Sequence, residues 1–146
     1  MKKILTVCAL AAATALAAPA QAGDGKKLVT VVTSPDAQTQ LMSMVLTMQT
    51  IQQGAKAQIL LCGPAGDLAL KEAPESATAP QKPKDMSPQG LMKMIMEKTG
   101  TKVEVCAIYL PNKGVDGTAL LDGITAANPA EMGAALIADN TTVLSF

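Results

Sequence analysis

The stretch LVTVVTSPDAQTQLMSMVLTMQTIQQGAKAQILLC, residues 28–62, decides the fold. It opens on Leu28-Val29-Thr30-Val31-Val32-Thr33, a near-continuous β-branched run that suits a strand buried on both faces. Ser34-Pro35-Asp36 then reads as a helix start: Ser34 as the cap, Pro35 at the first helical position, Asp36 complementing the helix dipole. Leu41, Met44, Val45, Met48 and Ile51 follow at helical spacing, and Gly54 stops the helix. Gln58-Ile59-Leu60-Leu61-Cys62 is a second strand. Strand, helix, strand is one βαβ unit, and its crossover is right-handed if both strands share a sheet.

The same alternation continues outward toward the C-terminus. Ser87-Pro88 repeats the cap-then-proline device, Leu91, Met92, Ile95 and Met96 share one helical face, and Gly100 terminates it. Lys102-Val103-Glu104-Val105-Cys106 is the next strand, and Pro111, Asn112 and Gly114 mark the following stretch as a loop. Ile124-Thr125-Ala126 reads as a short fourth strand. Asn128-Pro129-Ala130-Glu131 is a helix start, and Thr142 to Phe146 is a last strand. The expected class is therefore α/β, with a parallel sheet between helix layers. Glu72 to Pro88 is rich in Pro, Ala, Ser and Lys and reads as a surface loop.

Upstream of the first strand the sequence reads as an export signal. Lys2 and Lys3 precede an apolar run from Ile4 to Ala18, and Ala20-Gln21-Ala22 is a small-x-small cleavage pattern. The mature chain is expected to start at Gly23, in the periplasm, as one domain over 23–146 with no later membrane span. Cys8 falls within the signal; Thr6 and Val7 before it are larger than lipoprotein processing accepts.

Composition removes several function classes. The sequence has no His, which excludes His-based triads and His metal sites. Without the two signal lysines, ten Lys and no Arg face twelve acids, a formal charge of −2, so no nucleic-acid surface is expected. Neither a GK[ST] loop nor GxGxxG spacing is present, and no cofactor is expected. Met42-x-Met44 and Met92-x-Met94-x-Met96 have the thioether spacing of soft Cu(I) sites, but residues two apart do not share a helix face. Methionine here reads as bulk in a chain with one Tyr and one Phe.

Chemistry rests on Cys62 and Cys106, each at a strand end, where ligands and reactive groups collect in open parallel sheets. Exported cysteines first suggest a disulfide. If their strands are not neighbours, the gap is about two strand spacings, roughly 10 Å, and a bridge needs Cα atoms within about 7 Å. Bridge, buried hydrophobe and reactive thiol all stand on the residues alone.

The chain resembles the DsrE/DsrF-like family of small sulfur-handling proteins along essentially all of its mature part. The likeness runs from Val29–Thr33 and Ser34-Pro35 through Ile59-Leu60-Leu61 and Ala65-Gly66-Asp67-Leu68. It is strongest at Val103-Glu104-Val105-Cys106, then Gly114-Val115, Leu121-x-Gly123-Ile124 and the ending Ala138-Asp139 to Phe146. The resemblance implies a three-layer flavodoxin-like fold with a five-stranded, mainly parallel sheet, and homo-oligomers. It also implies a cysteine after the third strand, here Cys106, that carries sulfur as a persulfide and exchanges it with a protein thiol donor or acceptor. Cys62 is then a candidate resolving thiol, and Lys113, the N–H groups of Pro111–Gly114 or the next helix N-terminus are candidate thiolate stabilisers. Such a carrier need not turn over as an independent enzyme. A second reading keeps the fold as a non-catalytic assembly module for a partner or metal, with Cys106 inert.

Overall fold

The structure is a computed structural model that describes residues 25–146. The expected signal 1–22, with Cys8 and its cleavage site, lies outside the described residues. In chain order the elements are β1 (Lys27–Val32), α1 (Ala37–Gln52), β2 (Lys56–Leu61), a 3-10 stretch (Gly63–Ala69), α2 (Glu75–Thr78) and α3 (Pro88–Thr99). There follow β3 (Lys102–Val105), α4 (Tyr109–Lys113), a 3-10 turn (Gly117–Ala119), β4 (Thr125–Ala126), α5 (Pro129–Leu136) and β5 (Thr141–Ser145). All five strands are parallel, in the order β4-β3-β2-β1-β5. This is a three-layer α/β fold of flavodoxin-like kind.

The order dictates the layers. From β1 to β4 each strand is laid on the same side of the last, so right-handed crossovers put every intervening helix on one face. From β4 the chain returns past three strands to pair β5 with β1, so α5 must lie on the other face. The cores follow this division. Val32, Ile59, Leu61, Val103 and Val105 pack with Met44 of α1 and Leu91, Met92 and Ile95 of α3. Val29 and Leu60, pointing the opposite way, pack with Ala127 and with Met132, Ala135 and Leu136 around α5.

Helix ends follow the expected signals everywhere but at the start of α1, Gly54 lying just past the end of α1 with φ 92°. Ser87 Oγ accepts from Gly90 N with Pro88 at the first position, Gly100 closes α3 with φ 66°, and Asn128 Oδ1 accepts from Ala130 N ahead of Pro129. The start of α1 differs from the sequence expectation. Asp36, not Ser34, is the cap: its carboxylate accepts from Thr39 N at 2.8 Å, and Ser34 Oγ, two residues earlier, accepts from Asp36 N. Pro35 therefore precedes the helix.

The face that α1 presses on the sheet also differs. Gln40, Ser43 and Thr47 are buried beside Met44, while Leu41, Val45, Met48 and Ile51 are only partly buried. The polar groups are accommodated because most of them are satisfied: Thr47 Oγ1 shares a 2.7 Å bond with Thr30 in β1, and Ser43 Oγ and Thr47 Oγ1 each donate to a carbonyl one turn back at 2.7 Å. Met44 and Met92 are fully buried and Met42 is half exposed, so the paired methionines diverge.

The 72–88 segment is an anchored excursion rather than a featureless loop. It carries α2, buries Ala77 in the main core and closes on itself through a bridge from Gln81 to Met86. Among the described residues no helix is long and apolar enough to cross a membrane.

Candidate functional site

Cys106 comes one residue after β3, at the point where the two helix layers separate. The connection leaving β3 runs to the α1/α3 face, and the one leaving β4 runs to the α5 face. Crevices of this kind, outside the carboxyl ends of strands whose connections diverge, are where open α/β sheets bind ligands. Cys106 accordingly packs against both cores.

Cys62 follows β2 in the same way, and the two cysteines form a disulfide with Cα atoms 5.0 Å apart. The strands are neighbours, so the condition for a gap of two strand spacings is not met. Sheet order places β2 beside β3, register pairs Leu61 with Val105, and Cys106 N donates to Leu61 O at 2.8 Å. The next residues on each strand must then face each other across one ladder spacing. Cys62 and Cys106 also continue the alternation of Leu60 and Glu104, so both side chains lie on the α5 face. Both cysteines are half-buried.

Cys106 lines an open groove of about 610 Å³, together with Gly63, Pro64, Asp67, Ile108, Tyr109, Asn112 and Lys113. Ile108 is 70% exposed on its edge. The stretch Pro111–Gly114, expected as loop, is mostly helix: α4 begins at Tyr109 and ends on Gly114 at φ 74°. Pro111 fits because it lies in the first turn, where its missing N–H has no helical partner. The N–H groups of Asn112 and Gly114 donate to Ile108 O and Pro111 O, so they are not free to stabilise a thiolate.

Lys113 reaches the groove, where its ammonium sits 2.8 Å from Asp67 Oδ1. The same oxygen accepts the Tyr109 hydroxyl at 2.6 Å. Burial, together with the bond to Asp67, holds the Tyr109 hydroxyl protonated far above its ordinary range. Sequence reasoning missed Asp67 and Tyr109. The signal available was that the sole tyrosine, once buried, needs an acceptor; nothing local says which of twelve acids supplies it.

Tyr109 fits only because residue 66 is glycine. A Cβ there would stand 2.8 Å from the ring Cγ and closer still to Cδ2 and Cε2. A second pocket, about 400 Å³, lies at the opposite end of the strands, with Lys27, Lys56 and Lys102 among its lining residues; it holds no cysteine or carboxylate. The Cys106 groove, by contrast, brings a cysteine together with the Asp67–Lys113 pair. Among the described residues no three His, Cys, Asp or Glu side chains converge as a metal site would require.

No protein-family model and no curated protein matches the chain. Solved structures do. The ychN protein from E. coli superposes with a TM-score of 0.61 at 20% identity, covering 83% of this chain and 98% of its own. A protein of unknown function from Methanobacterium thermoautotrophicum, MTH1491, superposes with a TM-score of 0.60 at 10% identity, covering 83% and 99%. Both neighbours have the DsrE/DsrF-like fold, and at these identities the likeness is one of fold.

Proposed function

We propose that this chain is an exported, periplasmic sulfur-handling protein that carries or exchanges sulfur on Cys106, with Cys62 as the resolving thiol. The supporting observation is the pairing of two rim cysteines across adjacent strands, with Cys106 lining an open groove. In the reduced state the Cys106 thiolate attacks the terminal sulfur of a persulfide donor. A bond forms between Cys106 Sγ and that sulfur, and the donor leaves as a thiolate. The bound sulfur then has two exits. A partner thiolate takes the outer sulfur and regenerates the Cys106 thiolate, or Cys62 attacks Cys106 Sγ, giving the disulfide and releasing hydrosulfide. Two partner thiols reduce the disulfide by exchange and are themselves oxidised to a disulfide. Homo-oligomerisation belongs to the same reading, supported by the exposed Ile137 at the end of α5 and Val143 within the edge strand β5.

The competing reading is an assembly module whose bridge is inert; the observation on its side is the bridge itself. Mass spectrometry of the reduced protein after exposure to polysulfide separates the two. The carrier gains one sulfur on Cys106 in the Cys62→Ser variant, where no resolving thiol discharges it, and the wild type returns to the disulfide. Failure of Cys106 to gain sulfur in Cys62→Ser would overturn the carrier.

A further inference from the structure

We propose that Asp67 and Tyr109 are positioning residues that set the ionisation of the reduced Cys106 thiol by controlling where the Lys113 ammonium sits. The inference rests on the exchange reading above and deepens it.

One oxygen, Asp67 Oδ1, accepts from both Tyr109 and Lys113, at 2.6 and 2.8 Å. The phenol ring is buried and seated against Gly66. The carboxylate is therefore held from behind, and Lys113 is held by the carboxylate at the groove that Cys106 lines. In the disulfide state Lys113 has this one ionic partner among the described residues. Reduction places a thiolate in the same groove, a second acceptor for an ammonium that has three donors.

Competition between carboxylate and thiolate for Lys113 then tunes the thiol. Asp67 and Lys113 are the charged residues that line this groove with Cys106. The apolar residues that share the α5-side core with Cys106 are Ala127, Met132, Ala135 and Leu136; the acid of α5, Glu131, acts on Lys102. Glu104, two residues earlier on the same face, is committed to Lys102 at 2.7 Å and Gln58 at 2.6 Å.

The test measures the pH dependence of Cys106 alkylation by iodoacetamide in the reduced Cys62→Ser background, with peptide mass analysis. Lys113→Met removes the cation and raises the midpoint; Asp67→Asn frees the cation and lowers it, each by about one pH unit, which is about tenfold in thiolate at neutral pH. Tyr109→Phe leaves Asp67 with Lys113 as its only donor, tightens that pair, and raises the midpoint by less. Thermal melts establish that each variant is folded. Midpoints for Lys113→Met and Asp67→Asn that both stay within about 0.2 pH units of the parent would overturn the inference. Alkylation reports ionisation whether or not sulfur is taken up, so failure here is distinct from failure of the carrier.

Discussion

Reducing the Cys62–Cys106 bridge is expected to cost about 4 kcal/mol and to leave the protein folded. The bridge closes a loop of 44 residues. Chain-entropy scaling for that length gives roughly 13 cal/mol/K removed from the unfolded ensemble, about 4 kcal/mol at 25 °C. Against this stands the sheet itself: β2 and β3 stay paired over four register positions, and Ile59, Leu61, Val103 and Val105 are buried in the largest core, which Cys106 only borders. A domain of this size has on the order of 5–15 kcal/mol to lose from. Urea unfolding of oxidised protein, reduced protein and the Cys62→Ser/Cys106→Ser double variant measures the difference. With a slope of about 1.5–2 kcal/mol/M the midpoint falls by roughly 2–3 M, and both thiol-free and reduced forms retain a cooperative transition. A loss below about 1 kcal/mol would refute the loop-entropy reasoning. A reduced form with no cooperative transition would refute the claim that the sheet suffices, and would remove the folded dithiol that the exchange cycle needs.

Two further outcomes follow from single residues. Gly66→Ala drives a methyl into the buried Tyr109 ring and is expected to cost about 1–3 kcal/mol in the same urea assay; in a Tyr109→Ala background, where the ring is absent, most of that cost disappears, and an equal cost in both backgrounds would sink the steric account. Asp36 caps α1 through Thr39, whose backbone and side-chain hydrogen bonds hold the carboxyl below its ordinary range. A lowered folded-state value means that this stabilisation is present above the ordinary carboxylate range and is lost as pH falls through the folded value. Asp36→Asn keeps the cap acceptor but cannot titrate, so its melting temperature should fall less steeply than that of the wild type below about pH 4; parallel slopes would contradict the capping role.

Much of this fold is legible because its signals are local. The β-branched run at Leu28–Thr33, the Ser87-Pro88 and Asn128-Pro129 starts and the Gly100 stop each act within a few residues, and each appears where the pattern puts it. Ser34-Pro35-Asp36 offered two acceptors two residues apart, and which one caps depends on the direction in which β1 delivers the chain. The buried polar face of α1 was hidden for a related reason: Thr47 is an acceptable core residue only because Thr30 lies opposite, 17 positions away. Position at the strand end was enough to single out Cys106 and Cys62. Their adjacency was not, because strand order is a property of crossovers. Lys113 was visible as a nearby cation, whereas its tie to Asp67 spans 46 residues and passes through a packing contact at Gly66.

Register is what turns two strand-end cysteines into a pair. A slip of one residue between β2 and β3 would send one sulfur to the α1/α3 face and leave the other facing α5, since successive side chains alternate. Apolar neighbours tolerate such slips better than directional groups do. The residue two before Cys106 is Glu104, 3% exposed, and its carboxylate accepts from Gln58 of β2 and from Lys102. A slip would leave that buried carboxylate short of a donor, at a cost of the order of 1–3 kcal/mol or more for a charged group. The polar trio lies on the same face as the sulfurs, along the two strands that the bridge joins. Among the buried Val, Ile and Leu of these strands, a buried Glu contributes little to cohesion. It does penalise every alignment but the one that brings Cys62 to Cys106, and with it the open groove where the sulfur chemistry is proposed to occur.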